Sequence, residues 1–213
     1  MATSLKRARA EARPAAALAK RHPRPPAARS VLGPGDWIAA ATDVLVHNGI
    51  DGVRVDVLAR QLKVSRGSFY WHFASRADLL RRLLLAWQVE QTEQIIDRYR
   101  RQAFARDELI RELTELPFHG RAAVKGSSVE LTIRAWARRD EMARAVVDEV
   151  DAKRLSYLQE CFLSLGFERQ QAGARAFVLY CYMQSESMLR NQGSEADKRE
   201  RRRFVADMLL APG

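Results

Sequence analysis

From Asp36 onward, apolar residues return every three or four positions, and this spacing most constrains what the chain can fold into. Alternation at every second position occurs only over Val53-Arg54-Val55-Asp56-Val57, and the helical pattern on either side overrides it. The chain is expected to be all-α, with about nine helices. The first runs from Asp36 to about Asn48, with Ile38, Ala41 and Leu45 on one stripe, and Gly49 ends it. A short second helix covers Val55 to Leu62, and a third follows Ser65 to about His72. Ser75 and Asp78 form a capping-box-like start for a long fourth helix, Arg76 to about Arg101. Further helices are expected over Asp107 to Leu116, Ser128 to Ala137, Asp140 to Leu165 (stopped by Gly166) and Glu168 to about Asn191. The last extends from a Ser194 cap, with Asp197 three residues later, to Leu210.

Three segments follow: a basic tail over 1–34, a compact helical unit over 35–82, and a longer helical region over 83–213. The tail is rich in Ala, Arg and Pro, and Pro23, Pro25 and Pro26 prevent a sustained helix. It reads as a disordered appendage, as a basic arm that adds phosphate contacts, or as a transit-type leader that lacks a regular apolar face. Charge placement decides how the net +10 is weighed. The tail holds eight basic residues against one acid, so most of the excess lies there and bulk charge alone does not define a binding face.

Several function classes find no support. Cys161 and Cys181 sit in apolar helical patterns without metal-ligand spacing, which fits free thiols in a reducing cytoplasm and no zinc site. The histidines His22, His47, His72 and His119 are scattered, and no nucleophile elbow, zinc-protease motif, phosphate-binding glycine loop or dinucleotide fingerprint occurs. No enzyme activity, cofactor or metal is expected. The longest apolar runs, Leu83 to Trp87 and Phe177 to Met183, are too short to cross a bilayer.

Chemistry concentrates where the second and third helices meet. Lys63-Val64-Ser65 makes a turn between two short helices, the layout of a helix-turn-helix. Ser65 is placed to cap the third helix with its hydroxyl and to reach a phosphate. Arg66 and Ser68 project from the first helical turn, where side chains reach base edges, and arginine pairs well with guanine. Gly67 permits close approach to DNA or to a neighbouring helix. Phe69 and Phe73, four apart, belong on the buried side. Trp71 fits either a groove edge or a cover over the helix junction.

The stretch from Gly49 to Leu80, GIDGVRVDVLARQLKVSRGSFYWHFASRADLL, resembles the DNA-binding signature of the tetracycline-repressor (TetR/AcrR) family. The matching residues are Leu58-Ala59, Val64-Ser65, Gly67, Phe69-Tyr70, His72-Phe73 and Leu79-Leu80. The resemblance implies phosphate contact by Tyr70, helix-end packing by His72, and phosphate contact by Arg76, which stands where the family has a lysine. Two positions depart from the pattern. Arg54 stands where the family places a capping Thr or Ser, so it can meet a phosphate by charge but cannot cap. Lys63 stands where glycine is favoured, at a cost of about 1 kcal/mol for a positive φ.

The resemblance further implies a bacterial, cytoplasmic, nucleoid-associated regulator that represses transcription from a palindromic operator until a small molecule releases it. A nonspecific or architectural DNA-binding protein is the alternative. Beyond residue 83 the sequence is less specific. Large aromatics and interrupting polar groups suggest a mostly apolar pocket drawn from Trp87, Glu90, Gln94, Phe118, Trp136, Tyr157, Tyr180 and Gln184. His119, between Phe118 and Gly120, reads as a loop residue. The last two helices are expected to form a homodimer contact through Ala172, Ala176, Leu179, Met183, Phe204 and Met208, while Arg199 to Arg203 make a solvated face. Dimerisation would set two recognition helices about 34 Å apart, and a ligand that tilts the fourth helix would change that spacing.

Overall fold

The computed structural model describes residues 32–105, 107–118, 120–189 and 191–212, with the backbone alone at 121 and 122. The readings of the tail before residue 32, and of His119, lie outside the described residues. No strand occurs among the described residues, and none of their helices is long and apolar enough to cross a membrane.

The chain is a succession of helices: α1 (Pro34–Gly52), α2 (Val55–Gln61), α3 (Arg66–Tyr70), α4 (Arg76–Gln88), α5 (Gln94–Arg101), α6 (Glu108–Glu115), α7 (Gly120–Ala137), α8 (Glu141–Ser164), α9 (Arg169–Met188) and α10 (Glu195–Leu210). The turn chemistry explains most of the boundaries. Gly49 takes φ 69°, a conformation that side chains with a Cβ resist, and it breaks the regular path of α1 there. Asp78 N–H donates to Ser75 Oγ at 3.2 Å, while the Asp78 carboxylate accepts from Ala74 N at 3.1 Å, closing the start of α4. Asp140 caps α8 through Ala143 N at 2.9 Å. Ser194 and Asp197 form the capping box of α10.

Two elements differ from expectation. α7 starts at Gly120, eight residues before Ser128, because packing carries helix through Gly126 and two serines that propensity disfavours. The long fourth helix contains a π turn, Val89–Glu93, which joins α4 to α5 with widened hydrogen bonding.

Two apolar clusters hold these helices. In the first, Trp37, Leu45, Leu58, Phe69, Phe73, Leu79 and Leu83 are buried with Val129, Ile133, Trp136, Val147 and Val150, so α1 and α4 rest on α7 and α8. Trp37 meets Phe69 edge-on at 5.3 Å, and Phe69 stacks on Phe73 at 5.2 Å. Each buried ring contributes on the order of 1.5–3 kcal/mol. The second cluster joins Tyr99, Ile110, Leu113, Leu158, Phe162, Ala176 and Leu179. There α8 and α9 pack side by side, and Ala172, Ala176 and Leu179 are consumed inside the protomer. Those three cannot meet a second copy, because the small residues let α9 approach its own neighbours. Met183 is half-buried and lines a cavity.

Candidate nucleic-acid interface and ligand cavity

At the α2–α3 turn, Lys63 adopts φ 58°, the left-handed conformation anticipated from its place in the pattern. Val64 N donates to Ala59 O at 2.9 Å, so the turn is fastened to α2. Ser65 precedes α3 in extended conformation, but its hydroxyl makes no capping bond; the backbone contact Ser68 N to Ser65 O at 3.1 Å closes the first turn instead. Ser65 itself is exposed. α2 starts without a side-chain cap at Arg54, whose guanidinium lies 3.4 Å from Asp56, with both side chains exposed.

The α3 residues divide sharply. Phe69 and Phe73 are fully buried, whereas Tyr70 is 57% and Trp71 87% exposed. Trp71 therefore does not cover the helix junction. Arg66 and Gly67 are exposed, Ser68 and His72 half-buried. Among the described residues neither Lys63 nor Arg66 has an acidic partner, so both cations are available. Arg76 is placed differently. Its Nε donates to Val53 O at 2.5 Å and its Nη2 to Ile50 O at 2.7 Å, tying the start of α4 to the α1–α2 corner. Arg82 grips Asp78 at 3.2 Å and lies over the Phe73 ring. The Ala74 N–H, followed by Arg82, holds the Asp78 carboxyl below its usual range despite partial desolvation.

A cavity of about 340 Å³ opens between the π turn and helices α5 to α9. Glu90, Tyr157, Tyr180 and Gln184 are among its lining residues. The other four candidates lie elsewhere. Trp87 and Trp136 are buried in the first apolar cluster, Gln94 is exposed, and Phe118 packs under the Arg202 guanidinium at 4.2 Å.

The main feature missed in the sequence is a half-buried charge network in the cavity wall. Glu130 accepts from Arg154 Nη1 at 2.9 and 3.0 Å, from Arg134 Nε at 3.0 Å and Nη2 at 2.9 Å, and from Gln184 Nε2 at 2.8 Å. Behind it, Arg134 forks onto Asp151 at 2.6 and 3.0 Å, and Tyr180 O–H donates to Asp151 at 2.6 Å. Burial pushes the Glu130 carboxyl up, but Arg154 and Arg134 outweigh it and hold it down at about 2. Burial raises the Tyr180 phenol to about 12, keeping it a donor. Arg154 also reaches the π turn, donating from Nε to Thr92 Oγ1 at 3.0 Å and from Nη2 to Gln91 O at 3.1 Å. One guanidinium thus joins the cavity carboxylate to the irregular turn in the α4–α5 rod. The only legible hint was the i, i+4 pair Glu130–Arg134.

Two short helices at a tight turn, with an exposed cationic and aromatic end, define a helix-turn-helix unit within an all-helical protein. Residues 38–83 match the family model for bacterial regulatory proteins of the tetR family. Over those residues the chain is similar to that family. Two Pseudomonas putida regulators are each 37% identical over 51 residues: SrpR, where the match spans 24% of both chains, and TtgW, where it spans 24% of this chain and 38% of the relative. The chain thus aligns with well under half the length of these relatives.

Solved structures share the fold over a longer span. A transcriptional regulator from Rhodococcus sp. Rha1 superposes with TM-score 0.64 at 17% identity, covering 84% of this chain and 94% of its own. A Saccharomonospora viridis protein solved with choline gives 0.67 at 17%, covering 83% and 94%. FadR from Bacillus subtilis, solved with stearoyl-CoA, gives 0.59 at 18%, covering 83% and 97%.

Proposed function

We propose that the chain is a sequence-specific, DNA-binding transcriptional repressor, released from a palindromic operator by a small molecule. The DNA-reading part is 35–82 and the effector-binding and dimerising part 83–213. The observation that carries this reading is the unpaired, exposed set Lys63, Arg66, Tyr70 and Trp71 around α3, mounted on a rod that forms one wall of the cavity. Arg66 and Ser68 read base edges; Ser65, Tyr70, Lys63 and Arg54 hold phosphates; Gly67 permits close approach. His72 packs the end of α3. Arg76 acts as a positioning residue, since its donors already serve Ile50 and Val53.

Coupling follows the same rod. An effector in the cavity presses on Gln91 and Gln184, which bond Arg154 and Glu130 respectively; Arg154 shifts its hold on Gln91 and Thr92, and α4 turns at the π segment. Because Arg76 fastens α4 to the α1–α2 corner, the recognition helix follows. A homodimer supplies the second recognition helix. Its contact is assigned to exposed apolar residues, Phe177, Cys181 and Met188 on α9 with Phe204 and Met208 on α10. The protein acts in the bacterial cytoplasm, at the nucleoid when bound to DNA.

Selection of bound fragments from genomic DNA, followed by anisotropy titration, tests the reading. One enriched palindrome is the expected result. Equal affinity for every fragment, with steep salt dependence, would instead establish a nonspecific or architectural binder.

A further inference from the structure

We infer that the cavity accepts an uncharged amphiphile: a small apolar body carrying a neutral hydrogen-bonding head. The inference rests on the cavity being the effector site and concerns the chemistry of what enters it.

The walls are mainly apolar, with Ile95, Ile96, Leu113, Leu116, Leu158 and Met183 facing the space. Among the described residues the half-buried charges of the wall are already matched. Both Glu130 oxygens accept from arginine, and Arg154 divides its donors among Glu130, Thr92 and Gln91. Arg134 and Asp151 complete the set as a second opposed pair, so the network carries no net charge toward the cavity. Glu90 and Arg98, the exposed lining residues, are opposite in sign and reached by water. An ionic head would lose hydration on entry and, among the described residues, meet no uncompensated counter-charge, unless it displaced a member of the network.

Neutral groups are what remain. Among the described residues the Gln91 side-chain amide has no hydrogen-bond partner, and it lies over Gly126, where a Cβ would come within 2.5 Å of Gln91 Oε1. Gln184 donates its amide N–H to Glu130, which leaves its carbonyl oxygen for a ligand hydroxyl or amide. A donor-acceptor head such as an alcohol or amide satisfies both glutamines with no charge to neutralise.

Three probes that share an eight-carbon body isolate the head: 1-octanol, octanoate and octylamine, titrated calorimetrically into the full-length protein at neutral pH. Octanol is expected to bind, with both ions weaker by at least about tenfold. Ala123→Phe, which fills the cavity, is expected to abolish octanol binding. Glu130→Gln leaves Arg154 short of its counter-charge and is expected to reverse the order, so that octanoate binds more tightly than octanol. Wild-type binding of either ion as tight as octanol overturns the inference while leaving the cavity as the effector site. Failure of all three probes, or octanol binding that survives Ala123→Phe, overturns the inference and the effector-site reading together. Should Glu130→Gln fail to fold, the wild-type series still decides.

Discussion

Arg66 and Arg154 are the same residue in opposite circumstances. Arg66 is exposed on α3 with no acidic partner among the described residues, whereas the Arg154 side chain is only 15% exposed and every direction of its fork meets an acceptor. A free cation at the surface contributes little to folding but can exchange water and counterions for phosphate or a base. A buried, paired cation has no such freedom, and its contribution is to fix which helices meet. The availability of each guanidinium therefore says more about its role than the chain's net charge of +10.

Stability should separate the two arginines most strongly. Arg154→Met leaves Glu130 short of a partner and is expected to cost about 3–5 kcal/mol, while Arg66→Ala should stay within about 0.5 kcal/mol of wild type; urea unfolding of both variants reads the difference. Acid comes next. The folded Glu130 carboxyl, at about 2, lies below its ordinary 4.5. Its contribution is thus complete above pH 4.5 and lost as pH falls toward 2. The urea midpoint of wild type should decline across that window, and Glu130→Gln should flatten the decline, whereas Arg66→Ala should reproduce it.

Binding reverses the ranking. Arg66→Ala is expected to lose about 1–3 kcal/mol of operator affinity with thermal stability intact, and Tyr70→Phe less. Thr92→Val removes one Arg154 contact at the π turn and should shift operator affinity although it leaves the α3 face untouched; unchanged affinity would disconnect the cavity wall from DNA. The smallest effect belongs to Lys63→Gly. It relieves the positive φ by about 1 kcal/mol, yet it should lower the salt slope of DNA binding by about 1.

The sequence and the structure agree best where contacts are local. Ser75 with Asp78, Asp140, and Ser194 with Asp197 each act within a few residues, so their spacing alone located helix starts, and Gly49 marked the kink within α1. The burial of Phe69 and Phe73 beside exposed Tyr70 follows from helical periodicity in the same way. The cavity wall was not legible because its partners are distant: Glu130 meets Arg154 24 positions on and Gln184 54 positions on. The π turn escaped notice because an extra residue in one turn merely shifts the apolar stripe. Ala172, Ala176 and Leu179 gave a helical stripe without saying which helix would cover it, and α9 turned it inward.

Sequence discrimination by the α3 face is the central claim, and a paired titration addresses it directly. Anisotropy of the full-length protein is recorded at fixed salt with a fragment selected from genomic DNA and with a random duplex of equal length, for wild type and Arg66→Ala. The expected outcome is a wild-type preference of about a thousandfold or more for the selected fragment, much of it lost in Arg66→Ala while affinity for the random duplex changes little. A wild-type ratio near one, or a ratio unaffected by Arg66→Ala, would contradict it.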